Sequence, residues 1–524
     1  LTHRRAGDPE RRAVLRLIGL GATALWLPAL AAAGAKAPPR SKLADAALDA
    51  IGPIDRSLPD GILGRYTGDD PIGAHGTLRD AAGIGMPPEP AERHPLVIVG
   101  GGISGLTSAW WLRKHRPVVL ERAARFGGNS RGESWRGLDY SIGAAYFVKP
   151  GPGSPVDRLI REIGVAERCR EHRGKAVVLN GVRHNAFWKG ATAPAEKGRF
   201  ALLARHFEDV IRNRNGRFYP EIPVTDARLR GRIDELDRVT FLRHLEDVAG
   251  GPLHPHIEAA IEHYCWSSFG ASAREVSAAS GLNFYAAEFD TLMVAPGGNA
   301  AVAEALVKRL ARELPPASLR AGVTALDVRV RGDGVQVTYA DAEGRLQSLL
   351  ARAAILACPK FVAARVLRGI EDEPQRVAAI RELRYNAYLV ANVLLRGAVK
   401  HDFYDLFLLG AGATGDDIER AADRQGATDV ILATYARPRQ DRTVLTLYRA
   451  LPYPGPGGGA RGRIRLEPDG SHGEFRREFE EQIAREVLPL LGRRPADVVD
   501  IRVARWGHPL PVAKPGLIAN GVPE

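Results

Sequence analysis

The feature that most constrains this chain is the run Pro95-Leu-Val-Ile-Val-Gly-Gly-Gly-Ile-Ser-Gly105. Four apolar residues, Leu96 to Val99, form a short buried strand, and a helix is expected from Ile103 to His115. Between them Gly100, Gly102 and Gly105 fall on the G-x-G-x-x-G spacing. Gly100 permits a tight turn, Gly102 lets a pyrophosphate approach the backbone, and Gly105 lets helix and strand pack closely. The helix N-terminus, with Ile103 and Ser104 in its first turn, points its N–H groups and partial positive charge at the phosphates. A second strand, Val118-Val119-Leu120, ends in Glu121, whose carboxylate can accept both hydroxyls of a ribose and would repel a 2′-phosphate. Strand, turn, helix and carboxylate together specify a dinucleotide site, where a bare glycine turn would leave the Glu121 spacing without a reason.

Directly after Glu121 comes Arg122-Ala-Ala-Arg-Phe-Gly-Gly-Asn-Ser-Arg131, an E-x5-G-G run. Here the chain resembles the FAD-dependent amine oxidase and phytoene desaturase superfamily. The resemblance implies FAD as cofactor and contacts to it from Arg122, Gly127, Gly128, Asn129 and Ser130. Members commonly carry arginine directly after the glycine pair; this chain has Asn129, so Ser130 or Arg131 is expected to supply the polar contact there. Leu138-Asp-Tyr-Ser-Ile-Gly-Ala-Ala-Tyr-Phe147 is similar to the segment beside the flavin ring, which implies a cofactor contact at Gly143. Ala295-Pro-Gly-Gly-Asn-Ala300 with the helix Val302 to Glu313 resembles the family's P-G-G segment. Leu319 to Val328 resembles the strand whose valine, here Val323, touches the adenine end. Ala353-Ala-Ile-Leu-Ala-Cys-Pro359 resembles the strand returning to the dinucleotide domain, and Cys358 at its end reads as a core residue.

The expected fold is α/β: a doubly wound, Rossmann-like FAD domain with an interleaved α+β substrate domain. Residues 94–150 and 291–365 form the FAD domain, and 151–290 (mostly helical) and 366–524 form the substrate domain. The resembled proteins close with a Gly-Asp strand and a helix that cradle the flavin. This sequence stops at Gly521-Val-Pro-Glu524, where that segment should begin; the simplest expectation is that the sequence is incomplete, and one wall of the flavin site is missing only if Glu524 is the true terminus.

Residues 1–35 read as a twin-arginine export signal. Arg11-Arg12-Ala-Val-Leu-Arg16 fits the pattern, an apolar stretch runs from Leu17 to Ala33, and small residues at Ala31 to Ala35 offer cleavage sites. The expected partners are the twin-arginine machinery, a small-molecule substrate and an electron acceptor (oxygen, a quinone or another carrier). The expected location is periplasmic or at the cell surface. Residues 36–93 are rich in Pro, Gly and Asp and read as a linker or an arm over the folded body, with a short helix from Ser41 to Ile51. Of the net charge of +12, +3 lies in the signal, and the remaining basic residues are scattered. No basic stripe interleaved with aromatics exists, which argues against nucleic acid. Three widely spaced cysteines make neither a disulfide framework nor a metal site, and His254-Pro-His256 reads as a turn.

Hydride transfer to a flavin demands no acid–base pair, so no catalytic residue is assigned from sequence. The lysine that many amine oxidases keep near the flavin is replaced here by Val390. Two aromatic clusters, His263 to Gly270 and Arg505 to Pro511, either line the substrate side or pack the core, with core packing favoured for the first, while Trp110 and Trp111 read as packing residues. The expected activity is oxidation of a C–N or C–C bond in a small organic molecule. A carotenoid- or porphyrinogen-type desaturase or isomerase, and a non-catalytic FAD-binding or partner-binding protein, stay open as alternatives.

Overall fold

A computed structural model describes residues 48–70, 86–174, 176–214, 226–410, 423, 426–467 and 470–523. The twin-arginine segment, the first part of the short helix after it and residues 71–85 lie outside the described residues.

The apolar run Leu96–Val99 is the buried end of the strand Glu92–Val99, at the centre of a six-stranded sheet. Its neighbours are Val118–Glu121, followed by Leu319–Ala321, on one side and Leu346–Leu356 on the other, all parallel. The hairpin Thr324–Arg331 and Gly334–Ala340 extends the sheet in antiparallel fashion. The helix Ile103–Trp111 crosses from the first strand to the second, and a 3-10 turn over Arg113–His115 completes it. Together with the helix Ala300–Glu313 it covers one face of the sheet. Trp110 is buried there and donates its indole N–H to Glu162 at 2.9 Å. Trp111 corrects the expectation of packing: it is 42% exposed.

The second body is an eight-stranded sheet built on Tyr385–Arg396, flanked by Arg442–Leu451 and Val498–Pro511. Short strands Val177–Leu179 and Val182–His184 join its far edge next to Asp405–Leu408, so segments more than 200 residues apart in sequence share one sheet. Helices Lys197–Arg214, Phe241–Ala249, Pro255–Phe269 and Ala278–Ala286 pack around an aromatic core of Phe200, Phe207, Tyr264 and Tyr285. His254 is the N-cap of Pro255–Phe269, its Nδ1 accepting the His256 N–H at 3.1 Å, so the His-Pro-His run is a helix start.

That helix is buried nearly all round, and Glu262 inside it accepts the Ala273 N–H at 2.8 Å. Burial pushes its carboxyl up from 4.5 to about 7. A raised carboxyl pKa means the folded state holds the proton that the unfolded state releases. Glu262 therefore contributes stability below about pH 4.5 that is lost as pH rises to about 7. Glu262→Gln is expected to flatten this fall and to exceed the wild type above pH 7 by on the order of 1–3 kcal/mol, read from urea midpoints across that range.

Candidate active site

The turn after Val99 is as tight as its glycines allow. Gly100 has φ 111°, and a Cβ there would stand 2.5 Å from the Ala357 carbonyl oxygen. A Cβ at Gly105 would sit 1.8 Å from the Gly100 oxygen, so its absence sets how closely helix and strand pack. Gly102 is the helix N-cap and no side chain caps that terminus. Gly102 pairs with Gly127, and Gly128 (φ 55°) approaches it so closely that a Cβ would meet the Gly102 Cα at 3.0 Å. Glu121 reaches back across this turn. Its Oε2 accepts the Gly101 N–H and its Oε1 the Ala123 N–H, both at 2.7 Å. Each oxygen keeps a further lone pair for a ribose hydroxyl.

These residues form one wall of a cavity of about 520 Å³. Gly100, Gly102, Ile103, Ser104, Glu121, Arg122, Gly127, Gly128, Asn129, Ser130 and Val323 all line it. Two of the sequence-predicted contacts do not. Gly105 lies behind the turn, and Gly143 lies behind Asn129, whose carbonyl oxygen would be 2.1 Å from a Cβ at Gly143. The likeness around Gly143 correctly placed the segment near the cavity, but its lost side chain makes room for a loop. Cys358 also departs from expectation, because it lines the cavity.

Opposite the cradle stand Arg505, Trp506, Gly507 and His508, the second of the two aromatic clusters. The first cluster is core: His263, Tyr264, Cys265 and Trp266 are buried and line no part of this cavity. Val390 is buried in the sheet, also outside the cavity wall. Arg131 occupies the polar place beside the glycine pair: its Nε donates to the Gly128 oxygen at 3.2 Å and its guanidinium lies 5.0 Å over the Trp506 ring. The ring of Phe361 tilts against His508 at 4.5 Å.

Sequence reading missed Asp69, Asp70, Phe361, Arg463 and Glu467, all in the wall. For Arg463 a signal existed in the glycine-rich run 455–462. A Cβ at Gly459 would meet the Tyr385 oxygen at 2.0 Å, and one at Gly458 the Tyr453 oxygen at 1.9 Å. The glycines press the helix Gly458–Leu466 onto the sheet, and Arg463 enters the wall with Nη1 donating to the Tyr385 oxygen at 2.9 Å.

Strand register carries the Trp506 face further into the molecule. Trp506 is paired with Tyr388, Val390 with Tyr448, and Tyr448 with Asp429, while Asp405 lies diagonally across from Asp429. Pleating puts all of them on one face. The loop after Ser141 lies against it: Trp506 donates to the Ile142 oxygen, Tyr448 to the Gly143 oxygen and Tyr404 to the Ala145 oxygen at 2.7, 2.7 and 3.2 Å. Glu288 joins from the helical side, accepting the Tyr146 hydroxyl at 3.0 Å. Burial, with neighbouring tyrosines and then Asp405 and Asp429 adding to it, holds the Tyr146 and Tyr404 hydroxyls protonated far above the usual tyrosine range.

The cradle fits a dinucleotide on its own geometry: an open helix N-terminus, two glycine turns without side chains in the way, and a ribose-directed carboxylate. Residues 103–444 match the family model for flavin containing amine oxidoreductase. The chain belongs to that family. As a member of the flavin-containing amine oxidoreductases it takes FAD, and the cradle has the geometry to hold the dinucleotide. A family relative, oxidoreductase PigB of Serratia sp. (strain ATCC 39006), is 24% identical over 425 residues, covering 69% of this chain. The chain spans 62% of the length of PigB. Among solved structures, putrescine oxidase bound to putrescine superposes with a TM-score of 0.52 at 17% identity, over 78% of this chain and 84% of that one. Cyclohexylamine oxidase from Brevibacterium oxydans IH-35A gives a TM-score of 0.53 at 16% identity, over 82% and 89%. At such identities these matches establish the shared fold.

Proposed function

We propose that this member of the family is an exported FAD-dependent oxidoreductase that oxidises the C–N bond of a small organic amine. The reading rests on one observation: the dinucleotide cradle and the Trp506 face share a cavity, and that face continues into buried carboxylates. A bound flavin supplies hydride acceptance. The chain's residues bind, orient and exclude water. Once the ammonium has released a proton to solvent, a hydride leaving the carbon next to nitrogen turns C–N into the C=N of an iminium ion, and its two electrons pass finally to oxygen, a quinone or another carrier. Asp405, Asp429 and Glu288, each less than 5% exposed, favour a cationic substrate over an apolar one. This separates the amine reading from a carotenoid-type desaturase, whose substrate offers no such charge.

Export rests on the Arg11-Arg12 motif and its apolar sequel. The twin-arginine route carries folded proteins, which suits a chain that must take up FAD before crossing. No helix among the described residues is long and apolar enough to span a membrane.

The test is a visible spectrum of the purified full chain with added FAD, followed by anaerobic addition of mono- and diamines. Bands near ~370 and ~450 nm are expected of an oxidised flavin acting as the cofactor, with the longer-wavelength band bleached by an amine. A flavin that dithionite reduces and no amine does would overturn the amine reading. A reporter fused after residue 47 is expected to be exported, and to stay inside when Arg11 and Arg12 are both lysine.

A further inference from the structure

Residues 48–70 are sewn onto the cofactor cradle at two places. At the first, the Ile51 oxygen accepts the Phe126 N–H at 2.9 Å and the Pro53 oxygen the Gly132 N–H at 3.0 Å. Arg125 donates to Asp55 at 2.9 Å, and Pro53 packs so closely on Gly127 that a Cβ there would stand 2.9 Å from it. At the second, the strand Thr67–Gly68 pairs in parallel with Ala504 and Arg505. Gly68, with φ 86°, is required: a Cβ would lie 2.4 Å from the Arg505 oxygen. The Gly68 oxygen accepts from Arg131 Nη2 at 2.9 Å, the same guanidinium that holds Gly128 and covers Trp506. The Asp69 carboxylate lies 3.6 Å from that guanidinium and accepts the Gly507 N–H at 3.2 Å. Asp69 also lines the cavity.

The segment thus holds the loop 126–131, with Ile51 to Pro53 bonded to the residues at both its ends and Gly68 to Asp69 bonded to Arg131. Gly68 touches both walls through its backbone, and Asp69 does so with its side chain, reaching the cradle through Arg131 and the opposing strand through Gly507. We propose that residues 51–69 are a working part of the FAD site and that Asp69 is its positioning residue, setting the separation of the two walls. The inference rests on the flavin reading above. Asp69 acts through Arg131 and Gly507, so its loss loosens a preorganised cradle while leaving each cradle residue in place.

The experiment compares wild type, Asp69→Ala and Asp69→Glu in the full chain. The readouts are the FAD dissociation constant, from flavin fluorescence quenching, and the melting temperature without FAD. Loss of the charge-assisted contacts of Asp69 is expected to raise the dissociation constant about tenfold or more. Asp69→Glu recovers most of the affinity, and the cofactor-free melting temperature of all three stays together. Unchanged FAD affinity in Asp69→Ala overturns the proposal. So does an affinity loss matched by a drop in the cofactor-free melting temperature that glutamate does not restore, since that is a purely structural role. Wild-type protein that binds no flavin overturns the functional reading, and this proposal with it.

Discussion

Arg502→Met is expected to lower the unfolding free energy by about 3–5 kcal/mol, the range for stripping one partner from a buried charge network. Arg502 is 1% exposed and lies between Asp500 at 3.7 Å and Glu133 at 3.9 Å, both equally buried. Its Nη1 donates to the Tyr140 hydroxyl at 2.9 Å and to the Ser134 oxygen at 3.3 Å, and its Nη2 donates to the Pro59 oxygen. Methionine keeps volume and removes charge, so the loss reports the stranded Glu133 carboxylate more than a cavity, while Asp500 keeps Arg476 at 3.6 Å. Burial already pushes the Glu133 carboxyl up, and without Arg502 it will take a proton, recovering part of the cost. Urea midpoints measure the effect. Proteolysis near Pro59 should rise with it, because the same guanidinium holds that carbonyl. A loss under 1 kcal/mol would mean the network contributes specificity and little stability.

Glu121→Ala is expected to weaken FAD binding by more than ~100-fold. Two charge-assisted hydrogen bonds to the Gly101 and Ala123 amides are removed, each of about 1.5–3 kcal/mol. The ribose contact goes with them. The backbone turn that brings Gly100 and Gly102 to the cavity loses its brace, so affinity should fall further than a ribose contact alone accounts for. Glu121→Gln, which keeps one acceptor, should fall between. Fluorescence titration with FAD and with an analogue that keeps the pyrophosphate but lacks the adenosine ribose hydroxyls separates the two contributions. An equal loss for both ligands would place the effect in the turn.

The cradle was legible because it is local. Gly100 to Ser130 is one turn–helix–strand–turn, in which Gly100, Gly127 and Gly128 take positive φ and a Cβ at Gly105 would strike the Gly100 oxygen. The strand Tyr385–Arg396 is buried on both faces, and between its end residues its sequence is apolar but for Asn386 and Asn392. Gly143 and the cluster His263 to Gly270 needed the tertiary structure for the same reason. Gly143 was assigned to the cofactor because its motif lies beside the site, but which side of Asn129 it faces depends on how two loops stack. His263 to Gly270 has an active-site composition, and its neighbours on every side make it core.

The sequence by itself determined the βαβ unit, its cofactor class and the α/β architecture, because spacing along one short stretch dictates turn geometry, helix polarity and carboxylate reach. Tertiary structure alone decided the opposite wall. Asp69 meets Gly507 across 438 residues of chain, Arg463 arrives on a helix seated by glycines, and Asp405 and Asp429 share a face with Trp506 only through strand register. Such contacts arise from burial and pairing between distant segments, and burial is a property of the whole folded chain that no local spacing encodes.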